Sequence, residues 1–193
     1  MPVDPSAVKT WANLVTVSRG ILAPIMFVLI PDDPGGAWPA FVLWFLLCLS
    51  DAIDGYLARR HGATNLGAFI DPLADKVLVI GAMIFLVRND TFALIPVLII
   101  TAREVIIVLY RTFVGTKGIS VPASRLAKWK TLAQQLAVGF AIMPLTALDA
   151  TWLWNGFLWA AVILAVVSGA QYMWAARQMR PIDESTPVAG TVG

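Results

Sequence analysis

The sequence predicts an all-α integral membrane protein, six transmembrane helices in one bundle. Three observations predict it. Of the 193 residues, 59% are hydrophobic and only 13% are charged, about half the charge of a soluble domain of this length. The apolar residues fall into six runs, each near the length of about 20 residues that crosses a bilayer. No segment alternates polar and apolar residues at the strand period, and no internal repeat or second domain is visible.

Residues 1–12 form a juxtamembrane segment ending in SAVKTWA, where Lys9 and Trp11 suit the headgroup layer. The first span covers about 13–30, with Arg19 and Pro24 inside it, and the turn PDDPGG at 31–36 stops it. The second starts at about 38 and runs through FVLWFLLCLS into an acidic stretch. The third covers about 67–87, with Pro72 either beginning or kinking it. A short Arg88-Asn89-Asp90 turn leads to the fourth, 92–113. The basic loop GTKGISVPASRLAKWK precedes the fifth, 131–148, and the sixth covers 151–176. The transmembrane bundle is thus expected over 13–180, and the polar tail 181–193 is predicted to be disordered. The single cysteine, Cys48, excludes an intrachain disulfide and reads as a packing residue. Nothing in the chain calls for a nucleic-acid partner.

Orientation follows from the basic residues. Alternate connections place Lys9, Arg59, Arg60, Arg111, Lys117, Arg125, Lys128, Lys130, Arg177 and Arg180 on one side. The other side holds Arg88 with Asp32, Asp33, Asp90 and Asp149. The positive-inside rule then predicts a bacterial-type cytoplasmic membrane protein with both termini cytoplasmic. Trp38, Trp152 and Trp154 mark the outer interface; Trp11, Trp129 and Trp174 mark the inner one.

The chemistry concentrates in DAIDGYLARRHGATNLGAFIDPLADK at 51–76. Four of the chain's twelve acidic residues lie there, Asp51 with Asp54 and Asp71 with Asp75. Spacings of three and four put each pair on one helix face. Four carboxylates at the cytoplasmic edge of a hydrocarbon layer need a cation among them. Carboxylates are hard ligands suited to magnesium or manganese, and two pairs can hold two divalent ions that clamp phosphate oxygens. Gly55 and Ala58 leave the second helix without bulk beside the pair, and Arg59, about a turn beyond Asp54, offers a fork of donors to phosphate. Aspartates that merely cap helices and face water account for one pair, not for four acids in 25 residues. A cation pathway is a second alternative, although the acids gather at one membrane edge.

The pattern Asp51-x2-Asp54-Gly55-x2-Ala58-Arg59, then Gly67-x3-Asp71-x3-Asp75, resembles the signature of the CDP-alcohol phosphatidyltransferases. The link from Arg59 to Gly67 is one residue shorter than is common, in a loop where length is tolerated. The resemblance implies a six-helix membrane enzyme, usually homodimeric, that displaces CMP from a CDP-linked lipid or alcohol. It implies that Asp51, Asp54, Asp71 and Asp75 ligate two Mg2+ ions, with Mn2+ a substitute, and that Asp75 is also the catalytic base. It further implies a CDP-binding set of Asn13, Thr16, Gly55, Ala58, Arg59, Thr64 and Gly67.

DPLADK, TAREVII and KWKTLAQ resemble the branch of the family that transfers phosphatidyl from CDP-diacylglycerol to sn-glycerol 3-phosphate. Arg103, Arg111, Arg125, Lys128 and Lys130 then form a basic flank for the acceptor phosphate, with membrane lipids around the bundle. Two readings of Arg103 and Glu104 stay open at this point: a functional site, or buried partners that hold helices in register. Other acceptors, phosphatidylglycerol or inositol phosphate, also fit the family. An aspartate-motif prenyltransferase shares the metal chemistry but not the Asp-Gly-x2-Ala-Arg element.

Overall fold

The computed structural model describes residues 11–61, 67–115 and 125–178, with side chains described for 18–50, 76–110, 113 and 126–175. Among the described residues there are six long helices, as expected, and one short one: α1 (Trp11–Leu29), α2 (Trp38–His61), α3 (Gly67–Arg88), α4 (Leu94–Gly115), α5 (Arg125–Ile142), α6 (Pro144–Ala147) and α7 (Thr151–Gln178). There is no strand among the described residues.

Pro72 lies inside α3 and Pro24 inside α1; neither ends its helix. The fifth helix departs from the expected 131–148. It starts at Arg125, so RLAKWK is helical rather than loop, and it stops at Ile142. Pro144 causes the stop: the residue before a proline is driven out of the helical region. Met143 is accordingly extended, at φ −74° and ψ 119°. The freed Ile142 carbonyl accepts the Ala37 N–H at 3.0 Å. Gly36, at φ 71°, makes that approach possible, since a Cβ there would strike the Ile142 carbonyl.

α7 packs along α5 and α4, α1 along α2 and α3, and α3 also touches α4 and α5. The α5–α7 contact is built from small residues. Ala133, Ala137 and Ala141 recur every fourth residue on α5 and are buried, as are Ala161, Ala165 and Ser168 on α7, a spacing that lets helix backbones approach closely. α1 and α3 interlock differently: the Phe27 ring lies over Gly81, where a Cβ would collide with it, and stacks on Phe85 at 5.4 Å.

One end of the bundle gathers three connections. Asn89 Nδ2 donates to the Pro31 carbonyl at 3.1 Å, and Arg88 pairs with Asp32 at 3.3 Å, joining the α3–α4 and α1–α2 turns. Trp154 Nε1 donates to the Ala147 carbonyl at 3.1 Å, and its ring meets Phe92 at 5.5 Å. Helices of 18 to 28 residues extend about 27–42 Å from there. The opposite ends, His61, Gly67, Gly115 and Arg125, therefore lie together at the other end of the bundle.

Large apolar side chains face outward on every long helix, among them Val28, Phe45, Ile84, Ile95, Trp129 and Ile163. Among the described residues one helix, α7 over Thr151–Ala175, is by itself long and apolar enough to cross a membrane. Ser18–Leu29 and Trp38–Ser50 are shorter apolar stretches. The second ends where the aspartates begin, and α4 carries Arg103 and Glu104 at its middle, so the six expected spans are not equally apolar.

Candidate active site

Asp51 and Asp54 lie on the last three turns of α2, and Asp71 and Asp75 on the first three of α3. Asp51 is ten residues before the end of α2 and Asp75 eight residues into α3, depths of about 15 and 12 Å at the helical rise. The five-residue link 62–66 keeps those helix ends within about 20 Å. Both acid pairs thus share one end of the bundle, at similar depth. Their side chains, with those of Ala58 and Arg59, lie outside the described ones, as do those of Asn13 and Thr16 on α1; Gly55 lies on α2 and Gly67 opens α3. Thr64 lies outside the described residues altogether.

What fixes the two helices is described. Trp44, two turns before Asp51, is buried and donates its indole N–H to the Gln135 carbonyl of α5 at 3.3 Å. α3 is held through Phe27, Gly81 and Phe85, and its first described side chain, Lys76, directly follows Asp75.

Beside this end lies a knot of buried charge. Glu104 of α4 is 4% exposed and Lys130 of α5 likewise 4%. Lys130 Nζ donates to Glu104 Oε1, and Lys76 Nζ of α3 lies 3.7 Å from Glu104 Oε2. Arg103 Nη1 donates to Glu104 Oε1 at 3.0 Å. The rest of the Arg103 guanidinium reaches α7: Nε donates to the Ala165 carbonyl at 3.1 Å and Nη2 to Ser168 Oγ at 2.9 Å. Ser168 Oγ in turn donates to the Ala165 carbonyl at 3.2 Å. Four helices are thereby joined by one carboxylate and one guanidinium.

The structure sorts the expected basic flank. Arg103 and Lys130 meet at Glu104, so Arg103 makes the register-holding contacts that were one of its two readings. Lys128 does not join them. On a helix, two residues make about 200° of rotation, so Lys130 turns inward while Lys128 is exposed. Arg111 and Arg125 lie on α4 and α5, with side chains outside the described ones. Two members of the knot, Lys76 and Ser168, have no part in the site that the sequence predicts, and Glu104 has two open readings there. The available signal was an acid inside an apolar run, which demands a cation; the sequence did not say which.

A helical bundle whose second and third helices carry two aspartate pairs at one end is the arrangement that the motif predicts. The comparisons specify it. The family model described as CDP-alcohol phosphatidyltransferase matches residues 9–167. A CDP-diacylglycerol–glycerol-3-phosphate 3-phosphatidyltransferase of Rickettsia typhi is 33% identical over 174 residues, covering 88% of this chain and 98% of that relative. A probable phosphatidylglycerophosphate synthase of Mycobacterium tuberculosis is 36% identical over 181 residues, covering 89% and 82%. A relative of Haemophilus influenzae bearing the same name as the Rickettsia protein is 34% identical over 169 residues, covering 83% and 86%. The chain belongs to the CDP-alcohol phosphatidyltransferase family, and it is a transferase.

Proposed function

We propose that this protein is a phosphatidylglycerophosphate synthase: it transfers the phosphatidyl group of CDP-diacylglycerol to sn-glycerol 3-phosphate, giving phosphatidylglycerophosphate and CMP. The observation that carries the reading is the eight-position motif from Asp51 to Asp75 on the adjoining ends of α2 and α3, in a chain whose relatives bear that activity in their names. The protein works as a homodimer in the cytoplasmic membrane, with the site at the cytoplasmic edge. Apolar side chains on the outer faces of the bundle and charge in its interior support the membrane setting.

The donor set suits divalent magnesium or manganese, because Asp51, Asp54, Asp71 and Asp75 offer only hard oxygens from two adjoining helix ends. Two such ions, when bound, neutralise the diphosphate and stabilise CMP as it leaves. Gly55, Ala58 and Gly67 leave room for the nucleotide, and Arg59, Thr64, Asn13 and Thr16 bind it. Asp75 takes the proton from the acceptor hydroxyl. The acceptor oxygen then forms its bond to the β-phosphorus as the bond from that phosphorus to the CMP oxygen breaks. Lys130, with the other basic residues of α4 and α5, binds the acceptor's phosphate.

The test supplies purified protein with CDP-diacylglycerol and magnesium, then glycerol 3-phosphate, phosphatidylglycerol, inositol phosphate or serine in turn. CMP release with glycerol 3-phosphate is expected; release with another acceptor alone overturns the acceptor, and no release overturns the reading. EDTA should stop the reaction and excess magnesium or manganese restore it.

A further inference from the structure

Thr131 on α5 turns its hydroxyl back to the Ala127 carbonyl at 3.2 Å, the usual recourse of a threonine inside a helix. Thr101 on α4 does not: its Oγ1 is buried and has no hydrogen-bond partner. Gln134 on α5 is 3% exposed, and its Nε2, which carries two N–H donors, is likewise buried without an acceptor. Nearly every buried polar atom in a folded protein finds a partner, because leaving one unmade forfeits its hydration for nothing.

The two orphans belong to one place. The bond from Lys130 to Glu104 brings α4 and α5 level with each other. The two helices run in opposite directions, since α4 ends and α5 begins at the aspartate end. Three residues back from Glu104 and four on from Lys130 therefore both lead one turn away from that end. The rotations are about 300° and 400°, so Thr101 and Gln134 stay within about 60° of the directions of the bonded pair. Among the described residues α4 and α5 pack on α3 and α7 and hardly on each other. Lys130 and Glu104 together span the space between them; one turn farther in, the short Thr101 side chain bonds to nothing across it.

We infer that this place is a binding site for an ordered water molecule, which accepts from Gln134 Nε2, bonds to Thr101 Oγ1 and so joins α4 to α5 one turn inside the knot. The ligand is small, because Gln134 and the Glu104–Lys130 pair beside it are all but closed to solvent. It is neutral, because neither Thr101 nor Gln134 carries a charge to answer one. It accepts from an amide and pairs with a hydroxyl in either sense. Water meets all of these terms, and a buried water takes about two to four polar partners, of which the site supplies two side chains. The inference stands apart from the transferase reading: it involves no substrate and holds or fails whatever the acceptor.

The test is a crystal structure of the full chain at a resolution that shows waters, with thermal unfolding of T101V, Q134M and the double variant. One water oxygen is expected at about 2.7–3.2 Å from both Gln134 Nε2 and Thr101 Oγ1. A direct bond between the two side chains, or no density between them, would overturn the inference. Each single variant nearly keeps the shape of its side chain, removes one partner of the water and leaves the other orphaned. The unfolding midpoint should fall by about 2–4 °C, the shift that one lost hydrogen bond makes in a chain of this size. T101V/Q134M leaves no orphan, so it should regain most of that loss. A midpoint that rises in both single variants would mean that the two atoms pair with nothing in the folded protein, and the water site is refuted. If T101V leaves the midpoint unchanged and raises KM for glycerol 3-phosphate, the place takes an acceptor hydroxyl and the water assignment falls. If Q134M does not fold, the sign of the T101V shift decides.

Discussion

Two clusters of charge occupy the same part of this bundle, and they are built in opposite ways. The aspartate motif draws its four acids from 25 consecutive residues, on two helices joined by a short link. The Glu104 knot draws its members from α3, α4, α5 and α7, with bonded partners up to 65 positions apart in sequence. The first is acid-rich; the second sets one carboxylate among cations from three helices. On the proposed reading they divide the work of the phosphoryl transfer between the diphosphate donor and the acceptor phosphate.

The sharpest way to break that division is at Asp75. Asp75→Asn keeps the side-chain shape and removes the base, so CMP release should fall about 10²–10⁴-fold, the range general-base catalysis supplies. Thermal unfolding should hardly move. A near-normal rate would remove Asp75 from the role of base and leave the donor cluster without a proton acceptor.

Why one cluster was legible in the sequence and the other was not follows from this construction. Aspartates at spacings of three and four declare a shared helix face whatever the rest of the chain does, and apolar runs between turns declared the six long helices. In the sequence Lys130 falls in the basic loop, because the fifth apolar run starts at 131. In the structure the helix begins at Arg125, and that added turn and a half rotates Lys130 inward and Lys128 outward. Pro144 carried a local signal for the other boundary, since a helix ends readily before a proline, but the apolar run continued through it. Ser168 carried no signal. A serine in the apolar α7 is ordinary until Arg103 of α4 is brought to 2.9 Å from it.

At the knot, Arg103→Lys separates charge from geometry. A lysine keeps the positive charge but cannot make three directed bonds to Ala165, Ser168 and Glu104 at once. Breaking a buried ionic network by removing a partner costs about 3–5 kcal/mol, and keeping the charge should limit the loss to about half of that. A clear drop in melting temperature is expected; an unchanged one would mean that the α4–α7 contact does not depend on the guanidinium fork. Gly36→Ala tests the opposite end of the bundle. A Cβ at φ 71° would strike the Ile142 carbonyl, with an expected cost of about 1–3 kcal/mol from backbone strain. CMP release per folded molecule should be unchanged, because this turn lies at the end away from the aspartates.

The smallest effect should come from the ion pair that most resembles the knot on paper. Arg88 and Asp32 stand 3.3 Å apart, closer than Lys76 and Glu104, yet their side chains are 69% and 87% exposed. Distance alone would rank this pair above one limb of the knot; exposure reverses the order. Solvent and salt screen the attraction, and holding two long side chains in place costs entropy, so such pairs contribute about 0–1 kcal/mol. Arg88→Ala should therefore shift the unfolding midpoint only slightly, and less still in high salt. Glu104 lies among three cations with almost no solvent contact, where the same Coulomb term is not screened away. If Arg88→Ala proved as damaging as Arg103→Lys, burial would not be what distinguishes the two ends of the bundle. The α3–α4 turn, which also carries the Asn89 bond to Pro31, would then have to be treated as a structural anchor in its own right.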